Sequence, residues 1–203
     1  KPRTIHDFYG FPKELYQQTY PVEGSPELAQ LIQNQIKDTT IIGDYEWGID
    51  HGSWSVLKHI YPLANIPVIQ LSIDHSKDAQ YHYNLGKELS FLRKKGILIV
   101  GSGNMIHNLR IIKVQDGDFN TEYGYDWAFE INDLLKDAIV ENNFKALIDY
   151  NHLHSAARLA IPTPEHYIPL LYTLSMKGNQ DAISFFNDRV IAGSLSMTSF
   201  IMK

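Results

Sequence analysis

Two apolar runs separated by an amphipathic stretch do most to limit the folds open to this chain. Residues 66–73 (IPVIQLSI) and 97–100 (ILIV) each read as a short buried strand. Between them Ser76 is placed to cap a helix that continues to Lys95. Leu85, Leu89 and Leu92 lie on one stripe of that helix, and Gly96 is its stop. Strand, helix and strand in this order make a βαβ unit, so the two strands are expected to pair in parallel.

The remaining elements follow from caps and periodicity. GSPELAQLIQNQIKD predicts a helix with Ser25 as N-cap, Pro26 at the first helical position and Glu27 in the first turn. TTIIG is a short strand candidate, and Ser53 is placed to start the short helix SWSVLKHI, which Pro62 ends. YDWAFEINDLLKDAIVEN predicts another amphipathic helix, and TPEHYIPLLYTLSM a further one with Thr163 as cap and Pro164 at its start. Residues 190–202 alternate enough for a strand pair or one edge strand. The expectation is an α/β fold: one domain over residues 1–203, with a central, mostly parallel or mixed sheet flanked by helices.

Composition narrows the function classes. A chain of 203 residues can bury one sizeable core. No apolar run approaches the roughly 18 residues of a membrane span, and no stretch reads as a signal peptide. Net charge is −5, with Lys and Arg dispersed, so neither nucleic acid nor an anionic membrane is the expected partner. Cysteine is absent, which removes disulfides, thiolate ligands and thiol nucleophiles and fits a cytoplasmic location. With nine histidines, imidazole is the expected ligand for any metal.

Three histidine-centred stretches carry the chemical signal. GSGNMIHNLR, residues 101–110, follows the ILIV run, where ligands collect beyond the carboxyl ends of parallel strands. Its glycines suggest a phosphate cradle, but the third glycine and the lysine of such loops are missing. Two readings stay open for His107: a tight turn aims it into a cleft, or it is a buried histidine that satisfies backbone groups. Asn108 and Arg110 are candidates to fix its tautomer or to meet an anionic substrate group. In WGIDHGSWSVL, Asp50 either orients His51 as an acid or base or caps the following helix. In PTPEHYIPLL, Glu165 and His166 fall in a helical first turn, where neighbours diverge by about 100° and cannot both face one site. His59, His75 and His82 read as solvated, His6 is ambiguous, and the His152/His154 pair reads as a surface loop. No GxSxG, HExxH or CxxC motif and no calcium-loop pattern occurs. A non-thiolate metal site of histidine, with or without carboxylate, is the enzyme reading these residues leave.

Taken in order, TIHDFYGFPKELYQQTYPVEGSPELA, WGIDHGSWSVLKHIYPLANIPVIQLSID, GSGNMIHNLR, PTPEHYIPLLY and GSLSMTSF span essentially the whole chain. Together they resemble the LigB-type (class III) extradiol ring-cleavage dioxygenases, near their 4,5-DOPA branch. That resemblance implies a non-haem iron(II) centre, or zinc in some members, acting on a catechol and O₂. By motif it implies His166 as a metal ligand and His107 as a metal ligand or acid/base residue. His51 would be a pocket histidine set against substrate or oxygen. Such a metal must leave open positions for both catecholate oxygens and O₂. Family members also carry two earlier strands with GHGSP-like and HW motifs, which supply two further histidine ligands. Neither motif is present here, so the chain is expected to lack those N-terminal strands and to hold part of the site. The shortened sheet would then expose an edge. A zinc-binding or degenerate, non-catalytic relative is the alternative, and a nucleotide-binding protein the third reading. Association with further copies of the chain stays open.

Overall fold

The structure, a computed structural model, describes residues 1–115 and 117–203. The chain divides into two compact units, Lys1–Ser72 and Ile73–Lys203.

Lys1–Ser72 contains α1 (Lys13–Tyr16), α2 (Pro26–Gln35) and α3 (His51–Ile60). The start of α2 is as expected: the Ser25 hydroxyl accepts from the Leu28 amide at 3.3 Å, and Pro26 occupies a position whose missing N–H costs nothing. Helix α3 starts earlier than Ser53, because Asp50 is its cap and accepts from the Ser53 amide at 3.0 Å. His51 therefore sits in the first turn. Residues 3–8 run beside the approach to α3. The Ile5 amide donates to the Ile49 carbonyl at 2.9 Å, and the Ile49 amide donates to the Arg3 carbonyl at 2.8 Å. A Cβ at Gly48 would lie 2.0 Å from that Arg3 oxygen, so only glycine lets the two segments meet. Phe8, Tyr20, Val22, Ile49, Trp54 and Leu57 close the core behind them. The buried polar tips are satisfied: Trp54 Nε1 donates to Ile5 O at 2.8 Å and the Tyr20 hydroxyl to Tyr61 O at 3.0 Å.

In Ile73–Lys203, α4 (Ala79–Leu89) is capped by Asp78, which accepts from the Tyr81 amide at 2.8 Å. Ser76 instead donates to Asp74 Oδ1 in the preceding turn. The helix tightens into a 3₁₀ stretch, Ser90–Lys95, and ends where expected at Gly96, with φ of 71°. Then follow α5 (Asp126–Val140), α6 (Phe144–Ile148), α7 (Ala157–Ala160) and α8 (Ile168–Ser175). Helix α5 buries Ala128, Ile131, Leu135, Ala138 and Ile139, the three- and four-residue spacing of one apolar face. Fully buried Ile106, Leu147, Leu171 and Leu174 meet that face in one core. Each such side chain contributes roughly 1.5–3 kcal/mol through removal from water.

The sheets differ from expectation. Strands β1 (Ile183–Phe186) and β4 (Ser199–Met202) pair antiparallel, with Ile183 opposite Met202. Strands β2 (Val190–Ile191) and β3 (Leu195–Ser196) form a second antiparallel pair. The strand pairing expected over residues 190–202 is thus present, with β1 as an additional partner. The expected central parallel or mixed sheet is not found among the described residues: 66–73, 97–100 and TTIIG enter no ladder. Composition favours an extended, half-buried stretch, but a strand also requires a neighbour whose amides and carbonyls face it. Residues 97–100 alternate between half-buried and exposed, with Leu98 63% exposed, as for a segment covered on one face. The architecture is α/β, with helices dominant and small antiparallel sheets.

His82, expected at the surface, is fully buried in α4. The Asp74 carbonyl, 3.2 Å from Nε2, can only accept, so Nε2 carries the proton and Nδ1 accepts from the Tyr172 hydroxyl at 3.0 Å. Residues 101–104 are held just as closely. A Cβ at Gly101 would lie 2.6 Å from the Pro169 oxygen, and one at Gly103 would lie 2.1 Å from the His166 oxygen. The glycines serve backbone contact with the segment leading into α8 rather than a phosphate.

Two outcomes follow for stability. Burial holds the His82 pKa below its ordinary 6.5, so the unfolded chain takes up a proton at a pH where the native ring does not. Stability is therefore complete above about pH 6.5 and falls as pH drops below it toward the lower native pKa. Urea midpoints near pH 7.5 and pH 5.5 should show the fall, and His82→Gln, which offers one donor and one acceptor but cannot titrate, should reduce it. Equal pH dependence in the two proteins would reject this account. Gly103→Ala should cost about 1–3 kcal/mol through overpacking against a backbone oxygen. Gly24→Ala, whose methyl meets only Pro2 Cδ at 3.5 Å, should leave the urea midpoint nearly unchanged.

Candidate metal and catalytic site

His107 stands on a stretch without regular structure of its own, fixed from several sides by backbone hydrogen bonds. Its amide donates to Ala160 O at 2.9 Å, and it makes an antiparallel bridge to Leu195 in β3. The Ser196 amide donates to Ile106 O at 3.0 Å and the Asn108 amide to Ser194 O at 3.2 Å. Asn108 is buried and committed to the backbone. Its Nδ2 donates to Leu159 O at 2.8 Å and its Oδ1 accepts from the Arg110 amide at 3.0 Å. It shapes the turn after His107 and does not set the ring's tautomer. Arg110 is exposed.

His166 reaches the same place from the other direction. The helix expected from Thr163 begins only at Ile168, so Glu165 and His166 lie in a turn. Pro164 O closes that turn by accepting from the Tyr167 amide at 2.9 Å and the Ile168 amide at 2.8 Å. The divergence expected of neighbours on a helix does not apply there. Tyr167, fully buried, anchors the turn by donating to Leu147 O at 2.8 Å. The His166 carbonyl accepts from the Asn104 amide at 2.8 Å, across the close approach at Gly103. The result is a stacked pair: the His107 and His166 rings are 3.6 Å apart at their centroids and inclined by 19°.

Two imidazoles this close cannot both hold a proton at low cost. Burial, and then the neighbouring His166, push the His107 pKa down to about 4, against the opposing pull of Glu165. Its ring is neutral at pH 7, the state in which imidazole donates a lone pair to a metal. Burial alone would raise the Glu165 carboxyl. The Thr163 hydroxyl, at 2.6 Å from Oε1, together with His166 and His75 holds it below the usual range. The donor chemistry of the stacked pair fits a metal. In number it supplies two ligands, and no group of three or more His, Asp or Glu side chains is poised to hold an ion among the described residues.

His51 belongs to the unit Lys1–Ser72. Asp50 caps α3, as one of the two readings had it, and Gln70 brackets that cap. Gln70 Nε2 donates to Asp50 Oδ2 at 2.5 Å, and its Oε1 accepts from the Asp50 amide at 3.0 Å. The carboxylate that meets the His51 ring is Asp7, whose Oδ1 lies 2.8 Å from Nδ1. Burial would raise Asp7, but hydrogen bonds from the His51 ring and amide hold it below the usual carboxylate range. Asp7 and Gln70 escaped the sequence reading because they lie 44 and 19 positions from His51, with no periodicity linking them.

His6, His152 and His154 have partners of their own outside the candidate site. His6 Nε2 meets Gln18 O at 2.9 Å, His152 Nδ1 meets Asp149 at 2.6 Å, and His154 Nε2 meets Glu130 at 3.2 Å. A cavity of about 570 Å³ lined by Asp78, Tyr83, Lys87, Phe144, Lys145 and Asp149, among others, includes none of the candidate histidines.

Comparison with known proteins concerns the chain as a whole. The family described as the catalytic LigB subunit of aromatic ring-opening dioxygenase matches residues 1–192. An Escherichia coli K12 protein named 4,5-DOPA dioxygenase extradiol is 45% identical over 204 residues, covering 98% of this chain and 73% of that protein. A Beta vulgaris protein of the same name is 34% identical, covering 97% of this chain and 73% of its own length. The crystal structure of an uncharacterized Escherichia coli K12 protein superposes with a TM-score of 0.80 at 38% identity, over 98% of this chain and 80% of that one. With 192 of its residues matched by the family and the stacked histidines inside that span, the chain belongs to the LigB family of aromatic ring-opening dioxygenases.

Proposed function

We propose that residues 1–203 act as one LigB-type catalytic domain that opens the ring of a small, DOPA-like catechol beside its hydroxyls. Both atoms of O₂ enter the product. The observation that carries this reading is the stacked pair of His107 and His166, brought together by the Gly103 contact within the family-matched span.

His107 and His166 are the residues that would hold a non-haem metal, iron(II) in this reading. When bound, such a metal supplies a Lewis-acidic centre that gathers catecholate and dioxygen. The polypeptide's own contributions are separate. The low proton affinity of His107 keeps its lone pair available at neutral pH. Glu165 adds negative charge beside the pair, which favours a cation there. His51 takes the proton that a catechol hydroxyl gives up and later returns it to a product oxygen. A zinc-binding, non-catalytic role is the second reading, favoured by a donor set of two imidazoles that suits zinc as well as iron.

The test combines binding with turnover. The protein, prepared anaerobically with iron(II), is mixed with DOPA and oxygen. Oxygen uptake should match formation of the yellow ring-opened product. His107→Ala and His166→Ala should each weaken metal binding by at least about tenfold, and turnover should fall with it. Metal binding without oxygen uptake would favour the zinc reading. Metal affinity unchanged by both substitutions would overturn the site.

A further inference from the structure

His51 has a partner that the motif around it does not contain. Asp7 Oδ1 accepts twice from the same residue: from the backbone amide of His51 at 3.1 Å and from ring Nδ1 at 2.8 Å. A carboxylate at a helix start commonly serves the exposed amides of the first turn. In α3 Asp50 caps Ser53, Gln70 holds Asp50 by its amide and its carboxylate, and the first Asp7 bond serves the His51 amide. The second bond, to the ring, is surplus to capping. Phe8, buried next to Asp7 in sequence, sets its ring edge-on to His51 with centroids 5.5 Å apart and an interplanar angle of 79°. The imidazole is therefore held in orientation by a carboxylate at one nitrogen and an aromatic wall beside it.

We propose that Asp7 is a positioning residue that fixes the tautomer of His51 and so presents ring Nε2 as the base for a catechol hydroxyl. The inference rests on the acid–base role given to His51 above. A carboxylate can only accept, so Nδ1 keeps the hydrogen and the lone pair lies on Nε2. In the proton transfer, the catechol O–H bond breaks, an Nε2–H bond forms, and the electron pair stays on the catecholate oxygen. The imidazolium so formed is paired with the Asp7 carboxylate. Release of the Nε2 proton to a product oxygen restores the neutral ring. Serine-hydrolase triads assign an aspartate the same task of holding a histidine's tautomer and stabilising its cation.

Nitrogen-15 spectra of the histidine-labelled full chain near pH 8 read the tautomer directly. In the parent protein His51 Nδ1 should show the shift of a protonated ring nitrogen and Nε2 that of a bare one. In Asp7→Ala the two should exchange or average, a change that loss of a merely structural contact would not produce. In turnover, Asp7→Ala should lower kcat by about ten- to a hundredfold with KM changed less than about twofold. On a His51→Ala background it should cost nothing further, because Asp7 acts through that ring. If Asp7→Ala fails to fold, Asp7→Asn, which retains an acceptor oxygen without the charge, should still lower kcat at constant KM. An unchanged His51 tautomer in Asp7→Ala, or losses that multiply in the double variant, would overturn the proposal. Full turnover by His51→Ala would sink the acid–base role of His51, while the tautomer spectra would still decide the Asp7–His51 link by themselves.

Discussion

The carbonyl of His166 lies 2.1 Å from where a side chain at residue 103 would begin, and the Asn104 amide donates to that oxygen at 2.8 Å. Two irregular segments, more than sixty positions apart, are thereby pressed together backbone to backbone. Neither belongs to a helix or strand that could position it alone. His107 and His166 stack because this contact brings their segments within reach. Gly48 plays the same part against the Arg3 carbonyl, placing residues 3–8 beside the start of α3 and so Asp7 beside His51. Histidines that carry the proposed chemistry are thus held by glycine-dependent main-chain contacts, with helices and cores as backing.

Electrostatics then differentiates the histidines. His107 is driven toward neutrality by burial and by a second imidazole, the condition for a ligand. His82 is buried too, but both its nitrogens are used within the fold, by Asp74 and Tyr172, so it has no lone pair to offer. His51 is half-buried and bonded to the Asp7 carboxylate, an arrangement that suits the acid–base role proposed for it. One residue type thus meets three different environments, set by the neighbours of each ring.

Much of this was legible beforehand where the determinants are local. The Ser25–Pro26 start of α2, the apolar face of α5 and the Gly96 stop follow from adjacent residues and their spacing. His107 and His166 could be singled out by motif because the stretches around them resemble the LigB family along the whole chain. The expected parallel sheet was not there to find among the described residues. Residues 97–100 have the composition of a strand, but pairing depends on what lies alongside. His82 was misplaced for a related reason: its position on α4 looks polar until Tyr172 and Asp74 are seen to enclose it.

By itself, then, the sequence determined the family, the Ser25 start of α2 and the Gly96 stop, and which histidines stand in family motifs. Tertiary structure alone decided that Asp7 rather than Asp50 meets the His51 ring, and that Glu165 and His166 share a turn instead of diverging on a helix. It also decided that His107 meets His166 face to face. The physical reason is one of range. Capping and periodicity act over three or four residues and are written in consecutive letters. Ring stacking, carboxylate pairing and desolvation act over a few ångströms between residues 44 to 59 positions apart, and only the folded chain brings those together.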